Sequence, residues 1–105
     1  MVKFSADLIF LNLFCNNMDD NKVLIKLLTV GKLNDLLIIF ELCKNILVGN
    51  VPISKKNISK LSEYEKELIL LADKKKSFQK KVYLLKKNIH MFKILLEIAD
   101  EFIIN

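Results

Sequence analysis

The residues best able to do chemistry in this sequence are lysines, and they are concentrated in one part of the chain. Segment 55–87 contains eleven Lys and four acidic residues, a net charge of +7, whereas the rest of the chain has a net charge of −2. Clustered ammonium groups attract phosphate backbones and anionic lipid headgroups. The candidate nucleic-acid-binding residues lie on one turn and on the helix that follows it: Lys74, Lys75, Lys76, Lys80, Lys81, Lys86 and Lys87.

Two other interpretations of this charge remain open. The lysines can form a solvated face that keeps an apolar protein in solution, or they can contact an acidic protein or a membrane surface. The chain contains no Arg, and therefore lacks the planar fork that reads guanine or phosphate bidentately. Any binding to DNA is thus expected to be electrostatic and weakly sequence-specific.

Three aromatic residues, Tyr64, Phe78 and Tyr83, lie among these lysines. Aromatic rings next to basic residues can stack on nucleic-acid bases. At helical spacing they can equally be anchors in the core, which is the more frequent role of such residues. Both interpretations stay open at the level of sequence.

The other chemically capable side chains do not form a catalytic or metal-binding set. His90 is the only histidine, and it is expected to be a packed or half-exposed structural residue. Cys15 and Cys43 are 28 residues apart, without a CxxC motif, and can be two buried thiols or a disulfide between the first and third helices. The two glycines cannot form a phosphate-binding loop. We therefore expect no enzyme activity, no metal and no cofactor.

The elements that must position the lysines are predicted to be helices. Only two Gly and one Pro occur in 105 residues, whereas 52% of the residues are apolar, which favours a single domain, 1–105, folded as an all-α bundle of five or six short helices. The predicted helices are 6–16, 21–30, 32–48, a helix from Ser54 or Asn57 to residue 72, 78–87 and 89–104. The predicted caps are Ser5, Asp19 or Asp20, Ser54 or Asn57, and Ser77.

The ends of these helices are predicted from the same kind of local signal. Gly31 and Gly49 end the second and third helices, and Pro52 follows shortly after. Asn88 is either a break or an internal residue of one long final helix. In the helix from 78 to 87, apolar residues are expected to face inward and Lys80, Lys81, Lys86 and Lys87 outward.

No apolar tract reaches the roughly 18–20 residues that span a bilayer, and no leader peptide is recognisable. The expected setting is therefore intracellular or virion-associated, without an integral membrane span.

Segment Glu41–Leu85 carries a pattern of an apolar helix, a Gly-Asn-Val-Pro loop, a capped basic helix, Leu-Ala-Asp, a basic turn and a second basic helix. The residues that carry it are Cys43, Asn45, Leu47, Gly49-Asn50-Val51-Pro52-Ile53-Ser54, Lys60-Leu61, Tyr64, Leu68, Leu71-Ala72-Asp73-Lys74-Lys75, Ser77, Lys80-Lys81 and Leu84-Leu85. This pattern resembles the small basic protein of Polinton/Maverick-type elements and adintovirus-like DNA viruses. That family is similar to adenovirus core proteins, and the resemblance implies a cationic partner of packaged DNA.

Two hypotheses follow. The first is a basic protein of a virus or mobile element that binds the DNA backbone non-specifically through the lysine-rich turn and helix. The second is a helical interaction or oligomerisation module, in which apolar surface of the first or last helix contacts a second copy, a capsid protein or a host protein.

Overall fold

The protein is described from a computed structural model, which covers residues 8–104 and the side chains of residues 8–103. The described chain forms seven α-helices and no strand. They are α1 (Ile9–Asn16), α2 (Asn21–Val30), α3 (Leu33–Leu47), α4 (Lys55–Leu61), α5 (Glu65–Ala72), α6 (Phe78–Lys87) and α7 (Ile89–Ala99). A 3-10 turn, Ser62–Tyr64, joins α4 to α5, and a π-helical turn, Asp100–Ile104, continues α7. The predicted all-α bundle is confirmed, and the 3-10 turn divides what the sequence predicts as one helix.

Three helices begin at side chains that satisfy free backbone N–H groups. The side chains of Asp20, Ser54 and Ser77 each accept the backbone N–H three residues later, at 3.2 Å, at the start of α2, α4 and α6. Such a cap stabilises a helix by about 1 kcal/mol. Of the alternative caps that the sequence predicts, Asp20 rather than Asp19 caps α2, and Ser54 rather than Asn57 caps α4. The predicted cap Ser5 and first helical residue Ala6 lie outside the described residues.

The helix ends have three different physical causes. Gly49 has a φ of 79°, the left-handed conformation that favours Gly after a helix. Gly31 is extended instead, with a φ of −66°, and a Cβ there would lie 3.2 Å from the ring of Phe10. Asn88 ends α6 with a φ of −113° and a ψ of 59°, and its side-chain amide donates to the carbonyl of Leu84 at 3.0 Å. Asn88 is therefore a break between two helices.

The core is built around α3, which packs against α1, α5 and α7. Its buried residues are Leu36, Ile38, Ile39, Phe40, Leu42 and Cys43. The helix α7 is buried over most of its length, and the ring of its Phe92 meets that of Phe14 edge-to-face, with centroids 5.0 Å apart. The helix α6 packs against α2, α5 and α7, which fixes the direction in which each of its lysines points. None of the described helices is long and apolar enough to cross a bilayer.

Candidate nucleic-acid interface

The outer face of α6 carries a row of two lysines with a tyrosine between them. Lys80, Tyr83 and Lys87 are three and four residues apart, and this spacing places them on one side of the helix. Both lysines are exposed, Tyr83 is 59% exposed, and the amine of Lys87 lies 5.9 Å from the centroid of the Tyr83 ring. We call Lys80, Tyr83 and Lys87 the outer row. It presents two positive charges and a largely exposed aromatic ring to solvent.

Lys81 does not belong to this exposed surface, and the prediction that it points outward is wrong. Its side chain is only 7% exposed, and its amine lies 4.8 Å from the centroid of the Phe40 ring on α3. Burial lowers the pKa of Lys81, while the charges of Asp73 and Cys43 act in the opposite direction. Lys81 thus has a largely buried side chain whose amine lies over an aromatic ring.

The reason for this burial is the helical period. Phe78, Lys81, Val82 and Leu85 occupy positions i, i+3, i+4 and i+7, the spacing of the face that a helix turns to its core. Val82 and Leu85 are buried and Phe78 is half-buried, so Lys81 shares their side of the helix. The helical spacing of residues 78, 81, 82 and 85 would have placed Lys81 on the core face from the sequence alone, whereas its residue type suggests an exposed position.

The remaining predicted lysines separate onto different sides of α6. Lys86 is half-buried on the side facing α2, where it lines a shallow groove with Leu28 and Thr29. Lys74 and Lys76 line a separate cavity next to α3, together with Lys81. The predicted set is therefore not one continuous patch, and Lys74 accompanies Lys81 rather than the outer row.

The turn that carries Lys74, Lys75 and Lys76 is held by Asp73. Its side chain accepts the backbone N–H of Lys75 at 2.9 Å, and its carbonyl accepts that of Lys76 at 3.2 Å. This arrangement is a local Asx turn, the typical use of Asp after a helix. It leaves the side chains of Lys74 and Lys75 exposed immediately before α6.

The sequence leaves two roles open for the aromatic residues of the basic segment, stacking on bases and anchoring in the core, and the structure separates these residues between them. Tyr64 and Phe78 are half-buried and pack against the core, and the ring of Phe78 meets that of Phe40 edge-to-face at 6.3 Å between centroids. Tyr83 is exposed instead. Only Tyr83 among these three has a ring face available for stacking.

The thiols and His90 have no recognisable catalytic arrangement. Burial raises the pKa of Cys43 to about 12 and, with Asp100, raises that of Cys15 to about 11, and both cysteines are free. The thiol of Cys15 donates to the carbonyl of Leu96 at 3.7 Å. His90 is exposed, and no group of three or more His, Cys, Asp or Glu side chains within residues 8–103 is arranged to hold a metal ion.

No protein-family model matches this chain, and no curated protein or solved structure is significantly similar to it. The resemblance of segment Glu41–Leu85 to the basic protein of Polinton/Maverick-type elements therefore stays a prediction.

Proposed function

We propose that this chain is a small basic structural protein of viral or mobile-element origin that binds nucleic acid non-specifically through α6 and the turn before it. The observation that carries the proposal is the outer row, in which the exposed ring of Tyr83 lies between Lys80 and Lys87. The proposal includes no catalytic activity.

The chemistry of the outer row suits a nucleic-acid strand. Two lysines on one helix face neutralise phosphates, and the binding energy comes from the release of counterions. A free aromatic face stacks on an unpaired base of any sequence, which contributes about 1–3 kcal/mol per base. Lys75, which is exposed, adds positive charge beyond the N-terminus of α6. This combination favours single strands over duplexes and gives little sequence preference.

The viral or mobile-element setting is supported by the pattern in segment Glu41–Leu85. Two parts of that pattern have a definite structural role here, since Gly49 ends α3 in a left-handed conformation and Ser54 caps α4. The loop therefore sets the direction in which the basic half of the chain leaves α3. In this setting the partner is DNA.

The test is the salt dependence of binding to a fluorescently labelled oligothymidylate and to a short duplex. Binding should weaken steeply between about 50 and 200 mM salt, because each neutralised phosphate of a single strand adds roughly −0.7 to the logarithmic slope. Replacing Lys80→Gln and Lys87→Gln together should reduce the magnitude of that slope by about 1.4.

The matched control removes the same charge elsewhere in the basic segment. Lys55→Gln with Lys56→Gln acts on two exposed lysines at the start of α4, away from the outer row. This control should change the slope much less. Binding that does not depend on salt, an absence of binding at low salt, or equal effects of the two double variants would contradict the proposal.

A second candidate function is self-association through an apolar groove between the end of α3 and α4. Leu47 and Ile58 line this groove, whose volume is about 300 Å³, and remain 40% and 53% exposed. The sequence predicts apolar contact surface on the first or the last helix. The last helix is mostly buried in the core, whereas Ile9 and Leu13 of α1 are 62% and 39% exposed. Sedimentation equilibrium of the wild type and of Ile58→Glu tests this candidate. A concentration-dependent dimer that Ile58→Glu dissociates would support it, and a strict monomer at all concentrations would exclude it.

A further inference from the structure

A cavity of about 380 Å³ lies between α3 and α6 and is separate from the groove next to α2. Its apolar lining comes from three separate parts of the chain: Leu33, Leu37 and Phe40 of α3, Ala72 at the end of α5, and Phe78 at the start of α6. Cavities of roughly 300–1,000 Å³ with mostly apolar linings are typical of small-molecule sites. The size and lining therefore suit the apolar body of a small ligand.

The charged residues that line the same cavity are predominantly positive. Four lysines line it, Lys44, Lys74, Lys76 and Lys81, together with one acidic residue, Glu41. Lys44 belongs to α3, whereas Lys74 and Lys76 belong to the turn before α6, so the positive charges approach from two sides. An apolar lining with a net positive charge favours a ligand that is apolar at one end and anionic at the other.

Lys81 is the residue that distinguishes this cavity from an ordinary surface depression. Its side chain is more than nine-tenths buried. Its amine contacts the ring of Phe40 and forms no hydrogen bond or ion pair with any residue from 8 to 103. Asp73 acts on this amine electrostatically without forming an ion pair with it. Natural proteins normally pair the charge of a largely buried lysine. An anion in the cavity would supply the missing partner.

We propose that this cavity binds a small amphipathic anion, a molecule with an apolar body and a carboxylate or phosphate head that pairs with Lys81. The apolar body lies on Leu33, Leu37 and Phe78, and Lys74 and Lys76 add positive charge around the head. A nucleic-acid backbone does not fit this description, because a phosphodiester has no apolar body to fill the cavity. The site is therefore distinct from the outer row and extends beyond the proposed nucleic-acid function.

Isothermal titration calorimetry with decanoate, decyl phosphate and decanol, each below its micellar range, tests this proposal. We expect saturable binding of at least one of the two anions and weaker binding of decanol, which has the same chain without the charge. Lys81→Met should weaken binding of the anion at least about tenfold, the usual effect of losing a charge-assisted contact. The preferred anion identifies the head group as a carboxylate or a phosphate.

The matched control is Lys80→Met, which makes the same substitution at the next residue, on the exposed face of α6. It should leave the affinity unchanged within about twofold. The comparison with decanol removes the charge from the ligand rather than from the protein, so it remains decisive even if Lys81→Met does not fold. Absence of saturable binding of both anions, equal affinity for decanol, or equal losses in Lys80→Met and Lys81→Met would overturn the proposal.

Discussion

The amine of Lys81 on α6 lies 4.8 Å from the centroid of the Phe40 ring on α3, on the side of α6 that faces the core. Phe40 in turn meets Phe78 edge-to-face at 6.3 Å, so the cation lies next to a pair of aromatic rings. A cation over a ring gains about 0.5–2 kcal/mol, which offsets part of the cost of removing the ammonium from water. The difference between the gain from the cation–ring contact and the cost of desolvating Lys81 can be measured as a change in the free energy of unfolding.

We expect Lys81→Met to increase the free energy of unfolding by about 1 kcal/mol at neutral pH, because replacing a largely buried, desolvated lysine by an apolar side chain of similar length is often stabilising. Burial lowers the pKa of Lys81 in the folded chain below its ordinary value of 10.5. Between these two pKa values the unfolded chain binds more protons, so the wild type gains stability as the pH rises. The advantage of Lys81→Met should therefore be largest near pH 7 and shrink toward pH 10.5.

Urea denaturation of the wild type and the variant at several pH values measures this difference. Lys80→Met is again the control, and because Lys80 is exposed its effect should stay within about 0.5 kcal/mol at every pH. A loss of stability in Lys81→Met at neutral pH would contradict the expectation and would show that the contact with Phe40 outweighs desolvation.

The fold was largely predictable because its signals are local. Caps such as Ser77, the left-handed Gly49 and the apolar period of 3.6 residues act within one or two turns of the chain. The division of α4 from α5 was not predictable in this way. The 3-10 turn Ser62–Tyr64 interrupts a continuous helical pattern, and Tyr64 packs against a core that only the tertiary fold creates.

The candidate site was predictable in location but not in composition. From residue type alone, Lys80, Lys81, Lys86 and Lys87 are all expected to point outward. The helices that pack against α6 determine which of these lysines reach solvent. The helix α3 covers Lys81, and α2 flanks Lys86. The cavity beside Lys81 joins α3, α5 and α6, so no short stretch of sequence contains its pattern.

We expect Gly49→Ala to destabilise the protein by about 1 kcal/mol, because a residue with a Cβ is strained at a φ of 79°. Apart from its chain neighbours, no atom of the described residues lies within 4 Å of the position that the Cβ would take, so the cost is conformational rather than steric. Gly49→Asn should lose less, since Asn tolerates this conformation better. Urea midpoints of the two variants measure the effect, and equal stability of Gly49→Ala and the wild type would contradict it.

Both thiols should react slowly with Ellman's reagent at neutral pH. Burial raises the pKa of Cys15 to about 11 and that of Cys43 to about 12, so few thiolates are present. Reaction of the half-buried Cys15 should accelerate as the pH rises. Cys43→Ala leaves Cys15 as the only thiol, and Cys15→Ala leaves Cys43. Because Cys43 is fully buried, Cys15→Ala should react only on unfolding, in urea. Rapid modification of folded Cys15→Ala would contradict this prediction.

Tyr83→Ala separates stacking from charge in the proposed binding of nucleic acid. Loss of the exposed ring should weaken binding of an oligothymidylate by about 1–3 kcal/mol. Binding of a duplex should change little, because its bases are already stacked on one another. The salt dependence should also stay the same, since no phosphate contact is removed.

Tyr83→Phe is the control, because it keeps the aromatic face and removes only the hydroxyl. It should bind the oligothymidylate like the wild type. The stability of both variants should remain within about 0.5 kcal/mol of the wild type, since Tyr83 is 59% exposed. If Tyr83→Ala binds the single strand as tightly as the wild type does, the ring takes no part in binding, and any remaining affinity comes from the lysines alone.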